Sequence, residues 1–130
     1  MRWVALPLLL FALAACGEAP GARAAPDGNW TVLSIDGQPV PPGSYELRVR
    51  RGRVTGGRDG SNGWGYVEDQ PPRPDGSRMI ISDLQGCAET PERTAYWRAI
   101  NNGESTPTPQ PGGRIALAAQ GNRLVAVPSR

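Results

Sequence analysis

The residue types that most often perform chemistry in proteins are scarce in this chain. It has 130 residues with no His, and all fourteen of its basic side chains are Arg. Without His the commonest general base, the Ser-His-Asp arrangement and the usual zinc ligands are missing, and without Lys no side-chain amine can activate a Ser. Glu68 and Asp69 are neighbours that would point to opposite faces of a strand. A carboxylate pair from distant residues stays open, but no spacing favours it, so the sequence predicts a protein that is not an enzyme and has no cofactor.

One segment, Asp59-Gly60-Ser61-Asn62, places oxygen-bearing side chains close together, as calcium-binding loops do. It lacks the repeated acidic spacing and the terminal Glu of such loops, so a structural turn is the favoured interpretation and no metal site is predicted. In that turn we expect Asn62 to hydrogen-bond its own loop backbone or to adopt the left-handed conformation.

Cys16 ends an N-terminal pattern that is typical of a bacterial lipoprotein. A positive start is followed by an apolar run over residues 4–13, which is shorter than the roughly twenty residues that a membrane-spanning helix needs and fits a secretory signal peptide. Leu13-Ala14-Ala15-Cys16 matches the lipobox, which predicts cleavage of residues 1–15 and lipid, palmitate included, on the Cys16 thiol. Several acyl chains would anchor the protein stably. Gly17, where Asp would favour the inner membrane, indicates the periplasmic face of the outer membrane.

Cys87 is the second Cys of the chain. With Cys16 blocked by lipid, it has no partner in the same chain, and no Lys or His stands nearby in sequence to activate its thiol. A small buried residue is the favoured interpretation, with an intermolecular disulfide or a reactive thiol as the alternatives. We therefore expect a monomer.

Basic residues are clustered at one place although the total charge is nearly balanced. Fourteen Arg oppose twelve Asp and Glu, which gives no reason to expect nucleic acid as a partner. The cluster consists of Arg48, Arg50, Arg51 and Arg53. It could contact lipid phosphates or an acidic partner, but a solvated strand edge that discourages aggregation explains it equally well.

Short strands separated by turns dominate the rest of the chain. Residues 16–26 lack apolar periodicity and are expected to form a flexible tether, which leaves residues 27–130 as one domain. Tyr45, Leu47 and Val49 alternate with charged residues, the pattern of a half-buried strand. The fold predicted is mainly β with one α-helix, arranged as a small antiparallel curled sheet or barrel.

The single helix is predicted over residues 91–102. Thr90 can cap it and Pro91 suits its first position. Trp97 and Ile100 then fall on one side and are expected to face the sheet, while Arg93 and Arg98 reach water.

The order of these elements resembles the META domain, the family of HslJ-like bacterial lipoproteins, over about residues 29–127. Three pieces carry the resemblance: an opening strand at Trp30 with its turn, the stretch Val54-Thr55-Gly56-Gly57 followed by Ser61-Asn62-Gly63-Trp64-Gly65-Tyr66, and Leu84-Gln85-Gly86-Cys87 leading into the helix of Trp97. This chain has Ser61 where the family usually has Cys, so a disulfide between the second and third pieces is not possible here.

The resemblance implies a lipid-anchored envelope protein that binds an unknown envelope partner or supports tolerance of envelope stress. Two alternatives stay open. An interior lined by small residues would favour a barrel that binds an apolar small ligand, whereas a filled core would favour a protein partner. A long exposed loop over residues 69–76 could instead serve an inhibitor of a cell-wall hydrolase.

Overall fold

The computed structural model describes residues 23–67, 70–83, 86 and 88–130, and it confirms a mainly β fold with one helix. The strands are β1 (Gly28–Ile35), β2 (Gln38–Pro39), β3 (Tyr45–Arg50), β4 (Arg53–Asp59), β5 (Gly63–Tyr66), β6 (Ile80–Ser82), β7 (Thr108–Gln110), β8 (Arg114–Ala119) and β9 (Asn122–Pro128). They form one antiparallel sheet in the order β6-β5-β4-β3-β1-β9-β8-β7, with β2 paired to β1. Within the described residues nothing pairs β6 to β7, so the sheet is open and the barrel alternative is wrong.

The strands follow the alternation in the sequence. In β3 the side chains of Tyr45, Leu47 and Val49 are buried, whereas Arg48 and Arg50 are exposed, as the pattern predicts. The link between β8 and β9 is a tight turn in which Gln120 and Gly121 have φ values of 52° and 78°. These positive values suit a hairpin because the turn then matches the right-handed twist of its strands.

The helix α1 spans Pro91–Ile100 and starts where the sequence predicts. The Thr90 hydroxyl accepts a hydrogen bond from the Arg93 backbone N–H at 3.2 Å, which satisfies one of the free donors of the first turn. The end differs from the predicted Asn102. Asn101 and Asn102 both adopt the left-handed region (φ 51° and 53°), so the α-helix stops at Ile100 and a 3-10 turn, Asn101–Gly103, follows. Among the described residues no helix is long and apolar enough to cross a bilayer.

The core lies between α1 and one face of the sheet. Tyr96, Ala99 and Ile100 of α1 are fully buried. They meet apolar side chains from the central strands, namely Val32, Leu47, Leu117 and Leu124. The predicted inward position of Ile100 is confirmed, and the ten-residue helix draws its stability from this packing, since a lone helix of that length is marginal in water.

The folded domain takes in the end of the expected tether. Ala25 is 3 % exposed and belongs to the core, two residues before Asp27. The indole N–H of Trp30 donates to the Pro26 carbonyl at 3.2 Å and fixes the entering segment to β1. Packing therefore begins before residue 27, because Trp30 covers this segment.

Two glycines of the second META-like piece allow neighbouring strands to approach closely. A Cβ on Gly57 would overlap the Glu46 carbonyl oxygen, and a Cβ on Gly56 would stand 2.6 Å from the Trp64 carbonyl oxygen. Gly65 has more room, since its nearest neighbour would be the Thr55 carbonyl at 3.6 Å. The β3-β4-β5 pairing thus requires Gly56 and Gly57, whereas Gly65 is not sterically required.

Some sequence-based predictions lie outside the described residues. These are the signal peptide 1–15, Cys16, the tether up to residue 22, Glu68, Asp69 and Cys87.

Candidate functional site

A buried carboxylate, Asp59, connects the end of β4 to α1. Asp59 is 1 % exposed, and its Oδ2 accepts hydrogen bonds from Arg93 Nε at 3.1 Å, Arg93 Nη2 at 2.9 Å and Trp97 Nε1 at 3.1 Å. Its Oδ1 accepts from the backbone N–H groups of Asn62 at 2.8 Å and Ser61 at 3.3 Å. Both carboxylate oxygens are thus fully engaged by donors of the protein itself.

These donors keep Asp59 ionised. Burial acts to raise the pKa of Asp59, but the hydrogen bonds from the Asn62 backbone and the Arg93 guanidinium outweigh it and hold the pKa below its ordinary value. Carboxylates with shifted pKa values often mark active sites. Asp59, however, is buried and paired with the Arg93 guanidinium of the same fold. We interpret it as an anchor that fixes α1 to the sheet.

The surroundings of Asp59 correct the prediction for Arg93 and one of the two alternatives for Asn62. Arg93 was expected to reach water, but it pairs with Asp59 and also with Glu89 at 3.0 Å, and its side chain is only 17 % exposed. Asn62 does not take the left-handed conformation; Gly60 does, with φ 92°. The turn is instead closed by the Asp59 N–H, which donates to the Asn62 carbonyl at 3.0 Å. Arg98 is exposed, as predicted.

Aromatic rings form a cluster beside this anchor. The ring of Trp64 lies 4.7 Å from Trp97, 5.2 Å from Tyr66 and 6.4 Å from Tyr96, measured between centroids. Trp64 Nε1 donates to the Tyr96 hydroxyl at 2.9 Å, and this hydroxyl donates to the Glu46 carbonyl at 2.7 Å. Burial raises the pKa of Tyr96 well above its ordinary value, so the hydroxyl stays protonated. Trp64, Tyr66 and Trp97 of the META-like pieces therefore meet in the core, where they pack.

An apolar cleft of about 450 Å³, the end cleft, opens at one end of the sheet. Four adjacent strands contribute to it: the start of β1, the end of β9, the start of β8 and the end of β7. Trp30 and Ile115 give it buried apolar surface, 4 % and 1 % exposed. The lining residues are Pro26, Asp27, Gly28, Asn29, Trp30, Pro109, Gln110, Gly113, Arg114, Ile115, Pro128 and Ser129.

The end cleft is suited to apolar contact rather than to catalysis. Its ionisable lining side chains are Asp27 and Arg114. Asp27 already accepts a hydrogen bond from the Arg51 backbone N–H at 2.7 Å. In the part of the chain that the structure describes, no three His, Cys, Asp or Glu side chains come close enough to hold a metal ion. Of the motif residues that were selected from the sequence and that the structure describes, Trp30 is the one that lines this cleft. Its sequence context predicted a strand and gave no sign of a cleft.

The loop considered for hydrolase inhibition, residues 69–76, has a compact tip. The Arg73 N–H donates to the Ser77 carbonyl and the Gly76 N–H donates to the Arg73 carbonyl, both at 2.8 Å. The Ser77 side chain and backbone hold the pKa of Asp75 below its ordinary value. The described residues 70–75 are all exposed.

Comparisons with known proteins do not assign this site. No protein-family model, curated protein or solved structure matches the chain.

Proposed function

We propose that this chain is a lipid-anchored envelope protein whose domain binds an extended, apolar segment of another envelope protein at the end cleft, without catalysing a reaction. One observation carries the proposal: the apolar cleft lies outside a core that α1 fills, at the sheet end where the chain enters from Cys16. The META-domain resemblance is part of the same proposal and rests on the three sequence pieces.

The filled core is the reason to prefer a protein partner to an enclosed small ligand. Tyr96 and Ile100 occupy the side of the sheet where a barrel would hold its ligand, and both are 0 % exposed. An enclosed ligand would have to displace them, which costs the packing that they contribute. The end cleft needs no such displacement.

The edge strand β7 gives the proposed partner a second attachment. Among the described strands it pairs with β8 alone, and Pro109 and Gln110 of β7 also line the end cleft. An extended segment could add to this edge through its backbone while one bulky apolar side chain enters the cleft beside Trp30. The Pro109 nitrogen cannot donate, which limits the backbone pairing and leaves specificity to the apolar side chain.

The tether keeps the end cleft near the membrane. Pro26 comes ten positions after Cys16, and a fully extended chain over that distance spans at most about 35 Å. The proposed partner is therefore in the membrane or close to its surface.

Lipid attachment is tested at Cys16. Cells that express the wild-type chain and are fed a palmitate analogue should label it, and Cys16→Ser should lose both the label and the membrane association. Cys87→Ser is the matched control and should keep both, because Cys87 does not follow the signal sequence. Equal labelling of the Cys16→Ser variant would overturn the anchor.

Partner binding is tested with a photo-crosslinking residue at Gln110, which lines the end cleft, and at exposed Gln38 as the matched control. The Gln110 position should give one defined adduct in intact cells, and mass spectrometry should place it in an extended apolar segment. A synthetic peptide of that segment should bind the purified chain and prevent crosslinking.

Two outcomes contradict the proposal. One is a peptide that does not compete, and the other is the same set of adducts from Gln38. Capture of a cell-wall hydrolase from a crosslinker at Arg73, with none from Gln110, would select the inhibitor function instead.

A further inference from the structure

A second cleft, the arginine cleft, has a volume of about 300 Å³ and shares no lining residue with the end cleft. Three parts of the chain form it: the start of β4, the segment before β6, and the residues that follow α1. Arg53 comes from the first and Arg78 from the second. Among the hydrogen bonds and ion pairs of the described residues, none uses either guanidinium group. Two cations thus share one concave site without an anion of the protein bound between them.

The Tyr66 hydroxyl lies behind one wall of this cleft. It is buried and has no hydrogen-bond partner among the described residues, and Tyr66 as a whole is 9 % exposed. A Cβ on Gly103 would stand 3.3 Å from this hydroxyl, so Gly103 both lines the arginine cleft and contacts Tyr66. Burial raises the pKa of Tyr66 to about 12, while the positive charge of Arg78 acts in the opposite direction. Tyr66 itself does not line the arginine cleft, and its hydroxyl is buried behind Gly103, so this hydroxyl is not a donor to a ligand in the cleft.

We propose that the arginine cleft binds a phosphate group through Arg53 and Arg78. Guanidinium groups match the oxygens of phosphate and form charge-assisted hydrogen bonds that are stronger than neutral ones. The two arginines are far apart in sequence, and the fold brings them to one cleft.

Glu104 also lines the arginine cleft, and its negative charge provides a further test of the proposal. Its Oε2 accepts a hydrogen bond from Asn101 Nδ2 at 3.2 Å, and its Oε1 would stand 2.9 Å from a Cβ on Gly76. The carboxylate is thus positioned by neighbours other than the two arginines, and its negative charge opposes an anionic ligand. Removing that charge should strengthen phosphate binding, whereas removing either arginine should weaken it.

The phosphate could be free or part of a lipid headgroup, and two probes distinguish these sources. Inorganic phosphate represents the free anion. Dihexanoyl phosphatidic acid below its micellar concentration represents a headgroup, with dihexanoyl phosphatidylcholine as the control for the acyl chains. Tighter binding of phosphatidic acid than of inorganic phosphate assigns the site to a lipid, and equal affinity assigns it to the free anion.

The experiment is calorimetric titration of the full-length chain at low ionic strength, where screening of charges is weakest. We expect Arg53→Gln and Arg78→Gln to weaken binding by about tenfold or more, as loss of a hydrogen bond to a charged group does. Glu104→Gln should tighten binding several-fold. Exposed Arg98 supplies the control Arg98→Gln, which removes a charge elsewhere and should change little.

The melting curve of each variant is measured alongside, so that lost binding is separated from lost folding. Absence of phosphate binding to the folded wild-type chain would overturn the proposal. So would arginine variants that bind as tightly as the wild type, or an Arg98→Gln variant that loses as much affinity as they do.

Discussion

Replacing Asp59 by Asn is expected to lower the free energy of unfolding by about 3 kcal/mol. The substitution removes the charge that Arg93 faces at 2.9 Å and turns one of the accepting oxygens into a donor. Breaking a buried ion pair by removing one partner typically costs about 3–5 kcal/mol, and the lower end applies because the Arg93 side chain is still 17 % exposed. Such a loss is a large fraction of the stability of a small domain.

Urea denaturation measures this effect, and Glu89→Gln is the matched control. Glu89 pairs with the same arginine at 3.0 Å, but its side chain is 74 % exposed, so its loss should cost at most about 0.5 kcal/mol. Equal and small effects of the two substitutions would contradict the anchor interpretation of Asp59.

Acid is expected to remove the stabilisation that ionised Asp59 provides. The folded-state pKa of Asp59 lies below its ordinary value of 3.8, so the stabilisation is complete above the unfolded-state pKa and is lost as pH falls through the folded-state pKa. The wild type should therefore lose stability as pH drops below about 4, and Asp59→Asn should lose less over the same range. A parallel pH dependence of both proteins would show that other carboxylates cause the acid loss.

Local patterns in the sequence suffice for individual elements of this fold. The strand Tyr45–Arg50 and the start of the helix at Pro91 follow from alternation and from capping by Thr90, both of which depend on neighbours a few residues away. Asn101, Asn102 and Gly103 are a stop signal in the sequence, but the signal does not say which of them ends the helix; the left-handed region begins at Asn101, so the helix ends two residues before the expected end. Because these patterns act only over a few residues, they do not distinguish an open sheet from a barrel. Closure depends on whether the edge strands β6 and β7 meet, and these strands lie far apart in sequence.

The candidate sites are less visible in the sequence, because each is assembled from distant segments. Asp59 and Arg93 are 34 residues apart, so the sequence presented one as part of a calcium-like loop and the other as a surface charge. The end cleft uses the ends of four strands that only the sheet order brings together. Arg53 was recognised within a basic cluster, but Arg78 was not connected to it. The available signal was one more basic residue further along the chain, which does not indicate a partner by itself.

Replacing Trp97 by Ala should have the other large effect. Trp97 is half-buried, its ring lies 4.7 Å from Trp64 and 5.6 Å from Tyr96, and its indole N–H donates to Asp59 at 3.1 Å. Loss of a core Trp costs about 3–5 kcal/mol, and the partial exposure of Trp97 places the expected cost near 3 kcal/mol. In a domain of about 100 residues this corresponds to a fall in melting temperature of roughly 12 °C or more.

Two further variants identify the cause of that fall. Exposed Arg98→Ala should change stability by less than about 0.5 kcal/mol, since it touches no core contact. Trp97→Phe keeps an aromatic ring but loses the donor to Asp59, so it should cost about 1–3 kcal/mol, the range for a buried acceptor that loses a bond.

The rival interpretation is that Trp97 anchors a partner protein, as aromatic residues often do at interfaces. In that case Trp97→Ala would leave the melting curve unchanged while abolishing partner binding, because the contact of Trp97 would then be with the partner and not with Trp64 and Asp59.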